Sequence, residues 1–286
     1  MPPVVPQPLS AVAELLLCPV CGSKLSPVPG GLACANAHHH DLAREGYVAL
    51  LARPIGRAAG DDASMVSARV ETEAAGHLAP LTAAIVDAAP ARAPTDHLLA
   101  LDIGAGTGRN LSEVLQRSGR GRGVAIDVSR AACRSIARSH PSLAVVRADV
   151  WSQIPLADDS ADLVLNAFAP RNGAELARVM RPGATLVVAT AGQGHLRELQ
   201  GLHSLSVHPD KPAQLRRQLE PWFRELASKP VEWPLSLGAA AAANLLRMGP
   251  SARHLHPGAL DELARSGEPV LVSAAVEITT FLRVAG

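Results

Sequence analysis

The chain has 286 residues, 48% hydrophobic and 19% charged, with 27 Lys and Arg against 26 Asp and Glu. That length holds about two domains and a core that needs no disulfide staples, so a disordered or fibrous chain is excluded. A net charge of +1 and 2% aromatic residues exclude a strongly basic nucleic-acid coat and a stacking platform for single strands, leaving local patches or shape for any such contact.

No apolar run reaches the roughly 18 residues of a membrane-spanning helix. Residues 1–10 contain Pro but neither Lys nor Arg, so the basic start of a signal peptide is missing. A cytoplasmic protein without a membrane partner is expected. Four cysteines do not make a disulfide framework. Three of them crowd together near the start, and Cys133 stands alone.

The first predicted unit spans residues 1–45. Cys18, Cys21, Cys34 and His38 form a C-x2-C-x12-C-x3-H pattern. Zinc takes four thiolate or imidazole ligands in a tetrahedron, and two short-spaced pairs on a doubled-back chain supply them. Pro19 and Gly22 suit the turn after the first pair, and Pro29, Gly30 and Gly31 suit a hairpin bend. His39 and His40 compete for the fourth place, with the spacing favouring His38. A closed set of four ligands is structural, so this ribbon holds shape or docks a partner. A redox dithiol would need a thioredoxin-like strand and helix around it, and none is legible.

Residues 46–96 read as a helical linker. From 97 to 286 the pattern is α/β. Apolar runs over 97–103, 123–127, 143–149, 161–166 and 184–190 alternate with helical stretches to about 118, over 130–139 and over 174–180. Arg181-Pro182-Gly183 reads as a break. Such alternation gives a parallel sheet covered by helices on both faces. Two longer extended segments, 222–237 and 270–284, follow, separated by an Ala-rich helical insertion over about 238–266 that breaks at Gly249-Pro250.

Ligands of such sheets sit at the carboxyl ends of the strands. There lie Asp102, Gly104, Gly106, Thr107 and Gly108, then Asp127, Asp149 and Asn166. Asp127 is placed to accept both hydroxyls of a ribose. The loop reads D-x-G-x-G-x-G rather than the G-x-G-x-x-G of dinucleotide folds. An acid at Asp102 repels a pyrophosphate but suits the cationic end of S-adenosylmethionine. A class I (Rossmann-like) methyltransferase with a seven-stranded, mostly parallel sheet and an N-terminal zinc ribbon is expected.

Further motifs sharpen this: Asp41-Leu42-Ala43-Arg44-Glu45-Gly46-Tyr47-Val48, Gly60-Asp61-Asp62 with Ala68-Arg69, Gly76-His77-Leu78, Asn166-Ala167-Phe168-Ala169-Pro170-Arg171-Asn172, His195-Leu196 and Met248-Gly249-Pro250. With the zinc pattern, they make the whole chain resemble bacterial 23S ribosomal RNA guanine-N1-methyltransferases of the RlmA type, nearest the tylosin-resistance branch. The resemblance implies S-adenosylmethionine and zinc as cofactors. It implies a homodimer whose groove cradles a 23S RNA hairpin, and no DNA partner. It also implies methylation of N1 of a guanine in that hairpin, with resistance to tylosin-like macrolides. Cofactor contacts fall on positions matching Gly106, Thr107 and His195. Leu78 stands where relatives carry a tyrosine against the cofactor, Arg253 where they carry a tryptophan, and Ala49 where asparagine is common.

Asn166 and Pro170 sit where class I base methyltransferases place the target base, and the Asn166 amide can read a guanine edge or simply cap its strand. His195 can equally cap a helix. No carboxylate announces itself as a general base. RNA contacts are expected from Arg44, Arg53, Arg57, Arg69 and Arg171. The rival readings are a small-molecule methyltransferase of a biosynthetic pathway and a non-catalytic zinc-containing binding module.

Overall fold

The computed structural model describes residues 3–56, 59–90, 98–119, 121–199, 211–249, 252, 258–265 and 269–285. Arg57, Pro250 and Arg253 lie outside the described residues. Helix α1 (Gln7–Val12) opens the chain. Strands β1 (Leu25–Val28), β2 (Gly31–Cys34) and β3 (His39–Asp41) then form a three-stranded antiparallel sheet. Gly30 takes a φ of 83° at the hairpin bend, where a side chain would be strained.

The second sheet has eight strands in the order β10-β11-β9-β8-β5-β6-β7-β4. Its members are β4 (Val48–Ala49), β5 (Leu99–Ile103), β6 (Arg122–Asp127), β7 (Leu143–Arg147), β8 (Ala161–Ala167), β9 (Met180–Ala191), β10 (Phe223–Leu237) and β11 (Val270–Arg283). From β4 to β9 the pairings are parallel, and β11 pairs antiparallel with both β9 and β10. The chain runs outward from β5 through β6 to β7, then returns to lay β8 on the other side of β5. That reversal opens a crevice at the carboxyl ends of β5 and β8.

The expected seven strands are all present, and β4 adds an eighth at the β7 edge. This two-residue strand lies in the apolar run 47–52, which the sequence places in the helical linker. Its pairing with Val146 and Arg147 creates it. The helix expected to break at Arg181-Pro182-Gly183 does end there, covering Gly173–Val179, while the tripeptide itself lies inside β9. There the register against β8 shifts between Ala161 and Leu163, so the Pro-Gly pair bulges without ending the strand. Pro230 and Pro234 are tolerated because β10 is the outer strand.

Helices α2 (Ala63–Ala74), α3 (Ala79–Ala88), α4 (Arg109–Ser118), α5 (Arg130–Ser139), α6 (Gly173–Val179), α7 (Lys211–Leu219), α8 (Ala239–Arg247) and α9 (Ala259–Arg265) complete the chain. Asp62 caps α2 by accepting from the Ser64 and Met65 N–H groups. The insertion between β10 and β11 builds its own small core. Leu245 and Leu246 of α8 pack there with Leu196, Leu235 and Val272.

The ribbon is not built apart from the rest. Leu9, Leu16, Leu25 and Leu32 join Leu101, Val124 and Val146 in one buried cluster. The Arg122 guanidinium donates to the Ala11 carbonyl at 2.8 Å, and Leu17 N–H donates to Pro155 at 3.1 Å. No described helix is long and apolar enough to cross a membrane.

Candidate active site and metal centre

The ligand atoms of Cys18, Cys21, Cys34 and His38 all lie within 4.8 Å of one another. Cys21 Sγ is 3.6 Å from Cys34 Sγ, and His38 Nδ1 is 3.6 Å from Cys18 Sγ and 3.5 Å from Cys34 Sγ. Zn–S bonds of about 2.3 Å and Zn–N bonds of about 2.0–2.1 Å in a tetrahedron give ligand separations of about 3.5–3.8 Å. The set therefore fits zinc. His39 instead faces Asp41 at 3.0 Å. His40 Nε2 comes to 3.4 Å of Cys18 Sγ and stands beside the four.

At the carboxyl ends of the strands lies a cavity of about 970 Å³, at the upper end of small-molecule sites. Its lining includes Leu78, Asp102, Gly104, Thr107, Asp127, Asp149, Pro170 and His195. Gly106, Gly108 and Asn166 belong to the same elements, at the turn after β5 and the end of β8. Gly104, Gly106 and Gly108 have φ values of 74°, 58° and 79°; Gly104 lines the cavity, a Cβ on Gly106 would meet the cavity residue Arg69 at 2.6 Å, and one on Gly108 would meet Ile136 of the following helix at 2.9 Å. Gly108 also ends the loop as the N-cap of α4. A Cβ on Gly104 would stand 2.3 Å from the Ala169 Cβ, so the glycine loop and the segment after β8 touch.

Asp102 is 1% exposed, and neither of its carboxylate oxygens has a hydrogen-bond partner among the described residues. Burial, reinforced by the charge of Asp127, raises its pKa to about 7. An isolated buried carboxylate is costly unless a cationic group meets it. Asp127 is more settled: Gly106 N–H donates to Oδ2 at 2.9 Å and Ser129 N–H to Oδ1 at 2.8 Å. Burial nonetheless raises its pKa. Each oxygen keeps a free lone pair for a further donor. Asp149 accepts from the Trp151 N–H at 3.0 Å.

Two domain models match the chain. One, described as the N-terminal part of RlmA, a zinc ribbon, matches residues 16–55. The other, described as a methyltransferase domain, matches residues 100–183. A Streptomyces fradiae protein named 23S rRNA (guanine(748)-N(1))-methyltransferase is 41% identical over 259 residues, covering 89% of this chain and 90% of that one. The chain belongs to the RlmA-type 23S rRNA (guanine-N1)-methyltransferases. A Micromonospora griseorubida relative, named provisionally for the same chemistry, is 40% identical over 287 residues, covering 93% and 96% of the two chains. Among solved structures, a Bacillus halodurans protein described as a methyltransferase aligns with a TM-score of 0.51 at 14% identity, over 71% of this chain and 99% of that one. A Haloferax volcanii complex of a methyltransferase with its Trm112 activator gives 0.52 at 19%, over 79% and 99%. At such identities these two show the shared fold.

S-adenosylmethionine and zinc are the cofactors of this RlmA-type chain. The unpartnered Asp102 and the left-handed glycine loop fit a cationic ligand that lies against backbone. When bound, the cofactor supplies an electrophilic methyl group on a sulfonium.

Several residues stand differently from the sequence expectation. Arg69 is not a solvated surface cation. It projects from α2 into the cavity, pairs with Asp61 at 2.9 Å and donates to the Met248 carbonyl at 2.9 Å. Glu73, one turn later, accepts from the Thr107 hydroxyl at 2.8 Å, and burial raises its pKa. Arg69 and Glu73 are four residues apart and share a helix face, a signal legible once α2 is placed. Arg171 is also half-buried, whereas Arg44 and Arg53 are exposed.

The Asn166 amide is not open to a base edge. It is 1% exposed, accepts from Arg171 Nε at 2.8 Å and donates to the carbonyls of Pro170 at 3.0 Å and Ile103 at 3.3 Å. At a strand end, those backbone carbonyls are nearer than any ligand. His195 Nδ1 accepts from the Ala275 N–H at 3.2 Å. Its ring stacks on Phe168, centroids 6.1 Å apart. Phe168 went unnoticed in the sequence as a functional residue. It has a φ of 54° and remains 48% exposed, a combination that costs energy and concentrates at ligand sites.

Proposed function

We propose that this chain methylates N1 of a guanine in a hairpin loop of 23S ribosomal RNA, using S-adenosylmethionine. The observation that carries the reading is one cavity lined both by the glycine loop with the unpartnered Asp102 and by the 168–171 turn, which touches that loop at Gly104. The family of the chain supplies the substrate class.

In this reading Asp102 meets the cationic end of the cofactor, and Gly104, Gly106, Thr107 and Gly108 let its backbone approach. Asp127 takes the ribose, Asp149 flanks the adenine side, and Leu78 and His195 line the remaining wall. Asn166 and Pro170 act on the base through the shape of their turn, and Phe168 offers its ring to the base face. Catalysis is mainly positioning of N1 in line with the methyl group. The base must leave its stack, which costs a few kcal/mol and least in a loop.

The low net charge supports recognition by shape, as expected for paired RNA. A homodimer groove suits that mode, and a cytoplasmic ribosomal substrate and tylosin-type macrolide resistance accord with the resemblance. The test is transfer of a labelled methyl group to protein-free 23S RNA. Label in the RNA is expected, and label in small metabolites alone would favour the biosynthetic rival.

A further inference from the structure

The turn after β8 carries a cation that the reading above leaves without a role. Arg171 lines the cavity, and its Nε is bonded to an Asn166 amide that is itself locked by two backbone carbonyls. The guanidinium plane is thus fixed from behind, while its two terminal nitrogens bond no other described residue. The other described arginine in the lining, Arg69, is already paired with Asp61. Of the cavity's carboxylates, Asp102 is left for the cofactor's cation, Asp61 pairs with Arg69, and the others have donors of their own. Glu73 accepts from Thr107, Asp127 from Gly106 and Ser129, and Asp149 from Trp151.

The substrate chemistry supplies a match. Guanine N1 carries a proton, and its removal leaves a negative charge shared with O6. An arginine fork pairs in bidentate fashion with guanine O6 and N7. That pairing leaves the N1 edge open and places a cation where the charge develops, as in an oxyanion hole.

We propose that Arg171 grips O6 and N7 of the target guanine and stabilises the anion formed when N1 loses its proton. This deepens the reading above and rests on it. The N1 proton passes to solvent at the cavity mouth. The electron pair left on N1 forms the bond to the methyl carbon, and the sulfur–carbon pair stays on sulfur. A charged hydrogen-bond donor thereby takes over much of the work of a dedicated carboxylate base. Asn166 is a positioning residue that sets the plane of Arg171.

The test compares the parent, Arg171→Gln and Arg171→Lys in single-turnover methylation of a 23S hairpin across pH. Cofactor affinity is followed by calorimetry as a check on folding. Arg171→Gln should be slower by about 100-fold at pH 7. Its deficit should shrink as pH rises, because hydroxide then removes the proton that the cation no longer acidifies. Arg171→Lys, which keeps the charge without the fork, should fall between. Cofactor affinity should stay within about 3-fold, under 1 kcal/mol. A hairpin with 7-deazaguanine at the target should slow the parent about 10-fold and leave Arg171→Gln unaffected. A loss of rate equal at every pH, or a parent indifferent to 7-deazaguanine, overturns the proposal. If Arg171→Gln does not bind cofactor, the 7-deazaguanine result on the parent decides alone. A parent that makes no N1-methylguanine overturns the functional reading itself, and the proposal with it.

Discussion

Removing zinc is expected to destabilise the whole chain and not merely its first 45 residues. Each chain should bind one zinc ion through Cys18, Cys21, Cys34 and His38. With the metal gone the ribbon has little to hold its turns, since binding free energy in such sites is folding free energy. Leu16, Leu25 and Leu32 are buried to 1% or less in the cluster shared with the large sheet. Each fully buried leucine contributes about 1.5–3 kcal/mol, a large share of the roughly 5–15 kcal/mol of a typical domain. Scanning calorimetry of Cys21→Ser, or of chelated protein, should show the main transition lowered by about 10 °C or more. A main transition that stays in place would show that the ribbon is energetically separate. For the same reason, deleting residues 1–40 is a poor probe of RNA recognition, because it also strips the core.

The second expected result concerns Asp102. Asp102→Asn should lose most affinity for S-adenosylmethionine while making the free protein more stable. A charge-assisted contact is worth about 1.5–3 kcal/mol, so affinity should fall by about 10- to 150-fold. The stability gain follows from the carboxyl's pKa, raised to about 7 in the folded chain from an ordinary 3.8. Below pH 3.8 the group is neutral in both states and costs nothing as a charge. As pH rises toward 7 the unfolded chain ionises first, so the folded state loses stability, and the cost is complete above pH 7. That cost is at most about 4 kcal/mol. Denaturation at pH 8 should show the variant as more stable than its parent, and at pH 4 the gap should close. A variant destabilised at pH 8 with unchanged cofactor affinity would remove Asp102 from the site.

The parts legible in the sequence are those set by local spacing. The metal centre follows from C-x2-C and C-x3-H, because the ligands sit on two short turns. The five parallel strands that carry the glycine loop and the Asp127, Asp149 and Asn166 ends follow from apolar runs closed by polar residues. What escaped the sequence depends on contacts between distant segments. Strand β4 exists because Val48 and Ala49 find the β7 edge. The shared core arises because α1 packs on β6 and β7, which brings Leu25 and Leu32 into one cluster with Val124 and Val146, about a hundred residues away in the chain. Arg69 and Arg171 look like surface cations by composition. Asp61 and Asn166 draw them into the cavity. The left-handed Phe168 gave no signal, since a bulky residue is not expected there.

The chain's assignment to N1 of a guanine is tested most directly by primer extension on 23S RNA incubated with the purified protein and S-adenosylmethionine. A methyl group on N1 blocks pairing, so the extension should stop one nucleotide before a single guanine in a hairpin loop, only when cofactor is present. Read-through at every loop guanine, with label incorporated elsewhere in the RNA or not at all, would contradict the account.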